Sequence, residues 1–289
     1  MHGPMSGYIR KYFGDFQYVC RGALLEIWAA GRVCGCYAVP PTAPSPSDFL
    51  SWFSDYLSRE LGDARGSWHI SIGYAAADHE TAGARLLLSM PASYASNSQA
   101  GWDHVQVIGQ FYQRDSVDYQ DGLLQLCRYA HQVFASQPTR LFLLGFYTRG
   151  ALIELWTTFD RSGLYCSDVY DLRKDFIQFV SVILSYQQMT RQALGELGII
   201  ETDQGGTYIT LDGATMIPSE KLYLESQPIA SRESLVGSGT TCYRARVPES
   251  NEWSYVLKFK WRWARERPED EFLKLAKDKS VWGPVSLEY

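Results

Sequence analysis

The sequence predicts an α+β chain in two parts: a mixed-sheet N-terminal domain with packed helices, then a smaller antiparallel sheet carrying one helix. Three observations predict it. Between Trp68 and Thr157, strand-like runs bracket one amphipathic run. From Lys174 to Met189, the apolar residues Phe176, Phe179, Val180, Ile183 and Leu184 recur at helical spacing. Beyond Leu235, two strand-like runs surround a polar turn, and an acidic helix-prone segment follows.

In chain order, Phe16 to Ala30 reads as a strand pair around Arg21-Gly22, followed by a Pro-rich linker, Val39 to Pro46. Ser47 or Asp48 caps a helix reaching Glu60, with Phe49, Leu50, Phe53, Tyr56 and Leu57 on one face. Trp68 to Tyr74 and Ala84 to Ser89 read as paired strands, and Trp102 to Tyr112 as a stronger one. Asp118 to Ser136 reads as an amphipathic helix with Leu123, Leu124, Cys127, Ala130, His131 and Phe134 near one face. Leu141 to Tyr147 and Ala151 to Thr157 make a hairpin. The helix over Lys174 to Met189 either continues through Arg191 to Leu197 or is followed by a short second helix. Asp203-Gln204-Gly205-Gly206 is a turn, and Tyr208 to Leu211 and Leu222 to Leu224 are short strands.

One segment repeats. Arg21 to Trp28 (RGALLEIW) recurs as Arg149 to Trp156 (RGALIELW), each copy followed by a glycine-bearing segment and an aromatic-rich helix. Two copies are too few for a solenoid. They read as partial duplication of one strand–turn–strand–helix unit, with the first copy the more decayed. Glu26 and Glu154 sit on the polar face of their strands by simple alternation.

The chain has 289 residues, six cysteines and a formal net charge of −5. That charge argues against a protein whose main task is gripping a phosphate backbone, so nucleic acid is a disfavoured partner. Cys34 and Cys36 form only C-x-C, with no histidine at ligand spacing, so no metal site is predicted. Reduced thiols place the chain in the cytoplasm or nucleus. Met1 to Phe16 carries early charges and no apolar run, and no stretch is long enough to span a membrane.

The stretch with most chemistry is Leu235 to Lys258, LVGSGTTCYRARVPESNEWSYVLK. Gly237, Ser238 and Gly239 form a G-x-G turn, with Thr240 and Thr241 next. A strand-like run, Cys242 to Val247, passes through the turn Pro248 to Glu252 into a second run, Trp253 to Trp261. Lys258 lies inside that second run, and Lys260 shares its face by alternation. Glycines let a backbone approach phosphate oxygens, and a lysine on the next strand can pair with them. The helix-prone segment Arg265 to Lys277 holds Glu269 and Glu271, and an apolar strand-like end, Val285 to Tyr289, follows.

This ordered stretch resembles a protein kinase N-lobe, and specifically the fungal-type protein kinase domain family. The glycine loop of that family also runs G-x-G-T-T-C followed by an aromatic residue, as Gly237 to Tyr243 do here. A second block, Gln137-Pro138-Thr139-Arg140 through LFLLGFYTRGALIELW to Phe159-Asp160-Arg161-Ser162-Gly163, is similar to the family's upstream region. The resemblance covers Trp102 to Tyr289. It implies that backbone amides of Ser238 to Cys242 cradle phosphate and that Lys258 reaches the α/β-phosphates of ATP. It also implies that Glu269, or next Glu271, holds Lys258, and that Val236 or Val256 lines an adenine pocket. The third glycine of the usual motif is replaced by Cys242, and its valine by Arg244.

No His-Arg-Asp and no Asp-Phe-Gly occurs in the 289 residues. Those aspartates hold substrate and Mg²⁺. The sequence therefore predicts a kinase family member truncated before its catalytic loop and inactive as this chain alone, with no catalytic residue of its own. Mg²⁺ would come only with a C-lobe. A pseudokinase-like protein-binding module is the alternative, the partner being another protein or the missing C-lobe. The second alternative is a degenerate PD-(D/E)xK nuclease-like domain. The strand–strand–helix–strand order suits it, and Gln125 and Tyr129 form a Q-x-x-x-Y pattern. But Gln110-Phe111-Tyr112 stands where Glu-x-Lys is needed. The predicted organisation is residues 1–61, partial repeat; 62–200, α/β accessory domain; 201–231, linker with short strands; and 232–289, kinase-like N-lobe.

Overall fold

The computed structural model describes residues 2–14, 47–48, 51–54, 66–74, 82–90, 101–113, 118–211, 221–262 and 269–279. The chain divides into two compact units, Met1–Glu196 and Leu197–Tyr289. The strand pair read over Phe16 to Ala30, the Pro-rich linker and the apolar end Val285 to Tyr289 lie outside the described residues. Among the described residues, no helix is long and apolar enough to cross a membrane.

The first unit is built on a seven-stranded mixed sheet of order β1-β2-β3-β4-β5-β6, with β7 paired to β5. Its strands are β1 Ser67–Tyr74, β2 Ala82–Ser89, β3 Val105–Tyr112, β4 Phe142–Arg149, β5 Leu152–Asp160, β6 Gly163–Cys166 and β7 Tyr170–Asp171. All neighbours are antiparallel except β3 and β4, which run parallel. Parallel neighbours need a crossover, and the Tyr119–Ser136 helix supplies it. Asp118 caps that helix by accepting from the Gln120 main-chain N–H at 2.8 Å, a bond of the kind worth about 1 kcal/mol.

All eight residues of β3 are buried, which marks a strand covered on both faces. On one face Phe111, Phe146 and Trp156 join Phe179, Ile183 and Tyr186 of the Phe176–Gln188 helix. Tyr8 and Phe13, from helical residues 8–14, and Phe53 complete that core. Adjacent strand residues point to opposite faces, so Tyr147 turns the other way, onto the Tyr119–Ser136 helix. A Cβ on Gly122 would lie 2.0 Å from the Tyr147 hydroxyl oxygen, so only glycine permits this approach.

That contact corrects the helix face read from sequence. The buried stripe is Gly122, Leu126, Ala130, Val133 and Phe134, while Leu124 is 51 % exposed. The helix is turned so that Gly122, not a leucine, meets the sheet. A second correction concerns Arg191 to Leu197. Residues 191–195 form turns rather than a helix. Thr190 Oγ accepts from the Ala193 N–H, Gly195 takes φ 103°, and the Arg191 guanidinium donates to the Met90 carbonyl at 2.6 Å while pairing with Glu196 at 3.4 Å.

Arg140 joins these turns to the sheet. It is buried and donates to Gln137 Oε1, the Leu194 carbonyl and Gln106 Oε1 at 2.9, 2.7 and 2.7 Å. Gln106 in turn donates to Glu196 at 2.7 Å. Burial pulls the Arg140 pKa down to about 10, against the opposing pull of Glu196. Stripping partners from a buried charge of this kind costs roughly 3–5 kcal/mol.

The second unit is a six-stranded antiparallel sheet of order β11-β12-β10-β9-β8, with β13 on the other edge of β12. The strands are β8 Ile200–Asp203, β9 Gly206–Thr210, β10 Lys221–Leu224, β11 Ala230–Ser231, β12 Thr241–Arg246 and β13 Tyr255–Phe259. The segment read as a linker thus carries β8 to β11. β8 was not anticipated, because only Ile200 of its four residues is apolar. Ile209, Leu222, Leu224 and Ala245 form a small core with Tyr243, Leu257 and Phe259 packed against it. On the opposite face Lys221 pairs with Asp203 and lies over the Tyr208 ring, 3.5 Å from its centroid.

Three substitutions test these contacts. Gly122→Ala should lower unfolding stability in urea by about 1–3 kcal/mol. Tyr147→Phe removes a buried hydroxyl without a hydrogen-bond partner, so it should hold or raise stability, and it should recover part of the Gly122→Ala loss. In the second unit, the hydrogen bond from Lys221 lowers the Asp203 pKa. A carboxyl held lower in the folded state stabilises above its unfolded value and loses that contribution as pH falls through the folded one. The melting-temperature gap between the parent and Asp203→Asn should therefore be present at neutral pH and close below the ordinary carboxylate range.

Candidate functional site

The site forms where β12 begins. β11 pairs with β12 through Ala230↔Cys242 and Ser231↔Thr241, and β13 pairs through Thr241↔Phe259 and Cys242↔Lys258. Residues 232–240 connect β11 to β12 and carry the glycines. Gly237 has φ 125° and Gly239 has φ 49°, both in the region that side-chain-bearing residues rarely adopt. Three main-chain and side-chain bonds hold the loop: Arg232 N–H to the Thr240 carbonyl at 2.9 Å, Trp261 N–H to the Ser238 carbonyl at 2.7 Å, and Thr241 Oγ to the Gly239 carbonyl at 3.5 Å.

These bonds use carbonyls and leave amides. Among the described residues, no main-chain carbonyl takes the N–H of Gly237, Ser238, Gly239 or Thr240. Ser238 Oγ accepts from Thr240 Oγ at 3.0 Å and from the Arg232 guanidinium at 3.5 Å. Successive donors in a glycine turn are chemistry for an anion.

Each residue singled out from the sequence has a definite place. Gly237, Ser238, Gly239 and Thr240 form the loop itself. Thr241 is fully buried; its hydroxyl braces Gly239 and faces away from any ligand on the open side. Lys258 is exposed on β13, directly across from Cys242. Tyr255, Leu257 and Phe259 pack inward while Val256, Lys258 and Lys260 face out, so the two lysines share a face. Glu269 is the first residue of the Glu269–Asp278 helix, and Glu271 is exposed in its first turn. Val236 and Val256 are 49 % and 61 % exposed. The contact missed in the sequence is Arg232. It lies outside the G-x-G pattern, and only its pairing with Thr240 brings it to the loop; a basic residue ahead of the glycines was the available signal.

The first unit holds a different set. Ser71, Arg85 and Gln110 stand in one row across β1, β2 and β3. Arg85 donates to Ser71 Oγ at 3.1 Å and lies over the Trp102 and Tyr129 rings at 5.7 and 5.8 Å. Tyr129 thus belongs to an arginine–aromatic cluster, and Gln125 accepts from Arg128 at 3.1 Å. Gln110 and Tyr112 are buried. Among the described residues, no group of three or more His, Cys, Asp or Glu could hold a metal ion. Glu154 of the repeated segment lies 3.9 Å from Arg149 across the β4–β5 hairpin; the first copy is outside the described residues. In the FDRSG block, Asp160 Oδ1 accepts from the N–H groups of Ser162 and Gly163 at 2.7 and 3.1 Å, closing the β5–β6 turn.

Loop and lysine should respond differently to substitution. Gly237→Ala must adopt a left-handed backbone and is expected to cost about 1–2 kcal/mol, read by thermal or urea unfolding. Lys258→Ala, at an exposed strand position, should stay within about 0.5 kcal/mol of the parent.

Residues 86–288 match the family model of the fungal protein kinase. No curated protein and no solved structure matches the chain. The matched residues span more than half of the chain and include both the FDRSG block and the glycine loop with Lys258. By this match the chain belongs to the fungal protein kinase family.

Proposed function

We propose that the second unit binds ATP and that these 289 residues by themselves do not transfer its phosphate. The observation that carries the proposal is the glycine loop over β12: amides of Gly237 to Thr240 without main-chain acceptors, beside a strand that presents Lys258. In this reading the amides take phosphate oxygens and Lys258 neutralises the α/β-phosphates. Glu269, opening the next helix, orients Lys258. Family membership supports the choice of ATP over other anions. The 289 residues contain neither His-Arg-Asp nor Asp-Phe-Gly, so Mg²⁺ binding and in-line transfer fall to a C-lobe or a partner protein that supplies those aspartates.

A pseudokinase-like docking module is the second reading. Phe272 and Leu275, 54 % and 50 % exposed, form an apolar pair on the Glu269–Asp278 helix, a surface suited to a protein partner.

Calorimetry with ATP, with and without Mg²⁺, separates the two. ATP binding that weakens about tenfold in Lys258→Ala is expected, a loss typical of a charge-assisted contact. Labelled ATP should stay intact with the chain alone; a turnover that disappears in Lys258→Ala would overturn the inactive reading. No binding at roughly millimolar ATP would leave the docking module as the function.

A further inference from the structure

We infer that Arg232 is a second phosphate-binding cation of this site, gripping the distal end of a nucleoside polyphosphate from the edge of β12 opposite Lys258. Resting on the ATP-binding reading above, it adds selectivity for the length of the phosphate chain.

The geometry comes from β12. Cross-strand partners in an antiparallel pair share a face, and alternate residues along a strand share it too. Thr241 is buried on the core face, so Thr240 and Cys242, its neighbours, turn to the open face. Arg232 is held opposite Thr240 by its N–H bond to the Thr240 carbonyl, and Lys258 is held opposite Cys242. Two cations therefore flank the first residues of one strand, one on each edge, with the glycine loop at the end between them. The Arg232 guanidinium already reaches the loop at Ser238 Oγ.

The hydrogen-bond count at Ser238 points the same way. Its Oγ accepts from Thr240 and from Arg232, so its own proton is directed away from both and is available to an incoming oxygen. Hydroxyl, amides and guanidinium make a set of donors. Among the described residues, no carboxylate forms an ion pair with Arg232. Glu233, its neighbour in sequence, is exposed, and the Glu225 carboxylate is turned to Arg244 at 4.0 Å.

The ligand that fits is a chain of phosphates rather than a single one. A monophosphate satisfies the amides and one cation. A triphosphate spans both edges of β12, and a planar guanidinium fork meets its terminal group with two parallel bonds. Arg232 is a selectivity residue in this scheme, and it is distinct from the loop and lysine that define the site.

Calorimetry of the full chain with ATP and with AMP tests it. Parent protein should bind ATP more tightly than AMP. Arg232→Gln should lose about tenfold in ATP affinity, keep AMP affinity within about twofold, and show a shallower salt dependence for ATP. Arg232→Lys should recover part of the loss. Melting temperatures without nucleotide should match the parent, because Arg232 is exposed. Equal loss of ATP and AMP affinity would make Arg232 a brace for the loop and overturn the proposal. Unchanged affinities in Arg232→Gln, with a parent that binds ATP, would sink this proposal alone. A parent that binds no nucleotide would remove the ATP reading and this one with it.

Discussion

β12 is hydrogen-bonded along both edges, and the candidate site depends on that double pairing. β10 and β11 hold one edge and β13 holds the other. A strand paired on both sides cannot slip by one residue without turning every side chain to the wrong face. The register therefore decides at one stroke that Thr241 and Ala245 enter the core and that Cys242 and Arg244 face out. Lys258 is placed by Cys242, Arg232 by Thr240, and the loop tip by the Trp261 N–H. The glycines supply only the last part, a backbone able to turn at φ 125° and 49° without a side chain in the way.

The first unit solves a different problem. A strand covered on both faces, as β3 is, buries polar side chains along with apolar ones, and each must find a partner. Gln106 does so through Arg140 and Glu196. Gln110 does so less completely, since its Oε1 has no hydrogen-bond partner. Gln110 stands where the Glu-x-Lys of a metal-dependent nuclease would begin, and its row across β1 and β2 holds the Ser71 hydroxyl and the Arg85 guanidinium. Such a row can order a sheet and an aromatic cluster, as Arg85 does with Trp102 and Tyr129. It offers no hard anionic oxygens for a divalent cation.

Periodicity and turn chemistry were legible wherever one face of an element meets a core. The hairpin over β4 and β5, the amphipathic helix from Asp118 and the β12–β13 pair follow from alternation, helical spacing and a polar turn. Legibility failed where a contact across the fold overrode the local pattern. The Tyr119–Ser136 helix buries Gly122 rather than Leu124 because Tyr147 reaches it from a strand 25 residues on in the chain (147 − 122). The turns after Met189 do not run on as a helix because Gly195 takes φ 103° and gives its carbonyl to the Leu141 N–H. β8 exists because β9 pairs with it, not because its own residues favour a strand.

The sequence by itself determined the two-part α+β order, the glycine loop, and the lysine two strand positions from its companion Lys260, since period two and glycine's backbone freedom are local properties. Only the tertiary structure decided which donors converge. Strand pairing is a non-local choice, and it alone sets Arg232 beside Ser238, turns the Thr241 hydroxyl inward, and puts Lys258 across from Cys242.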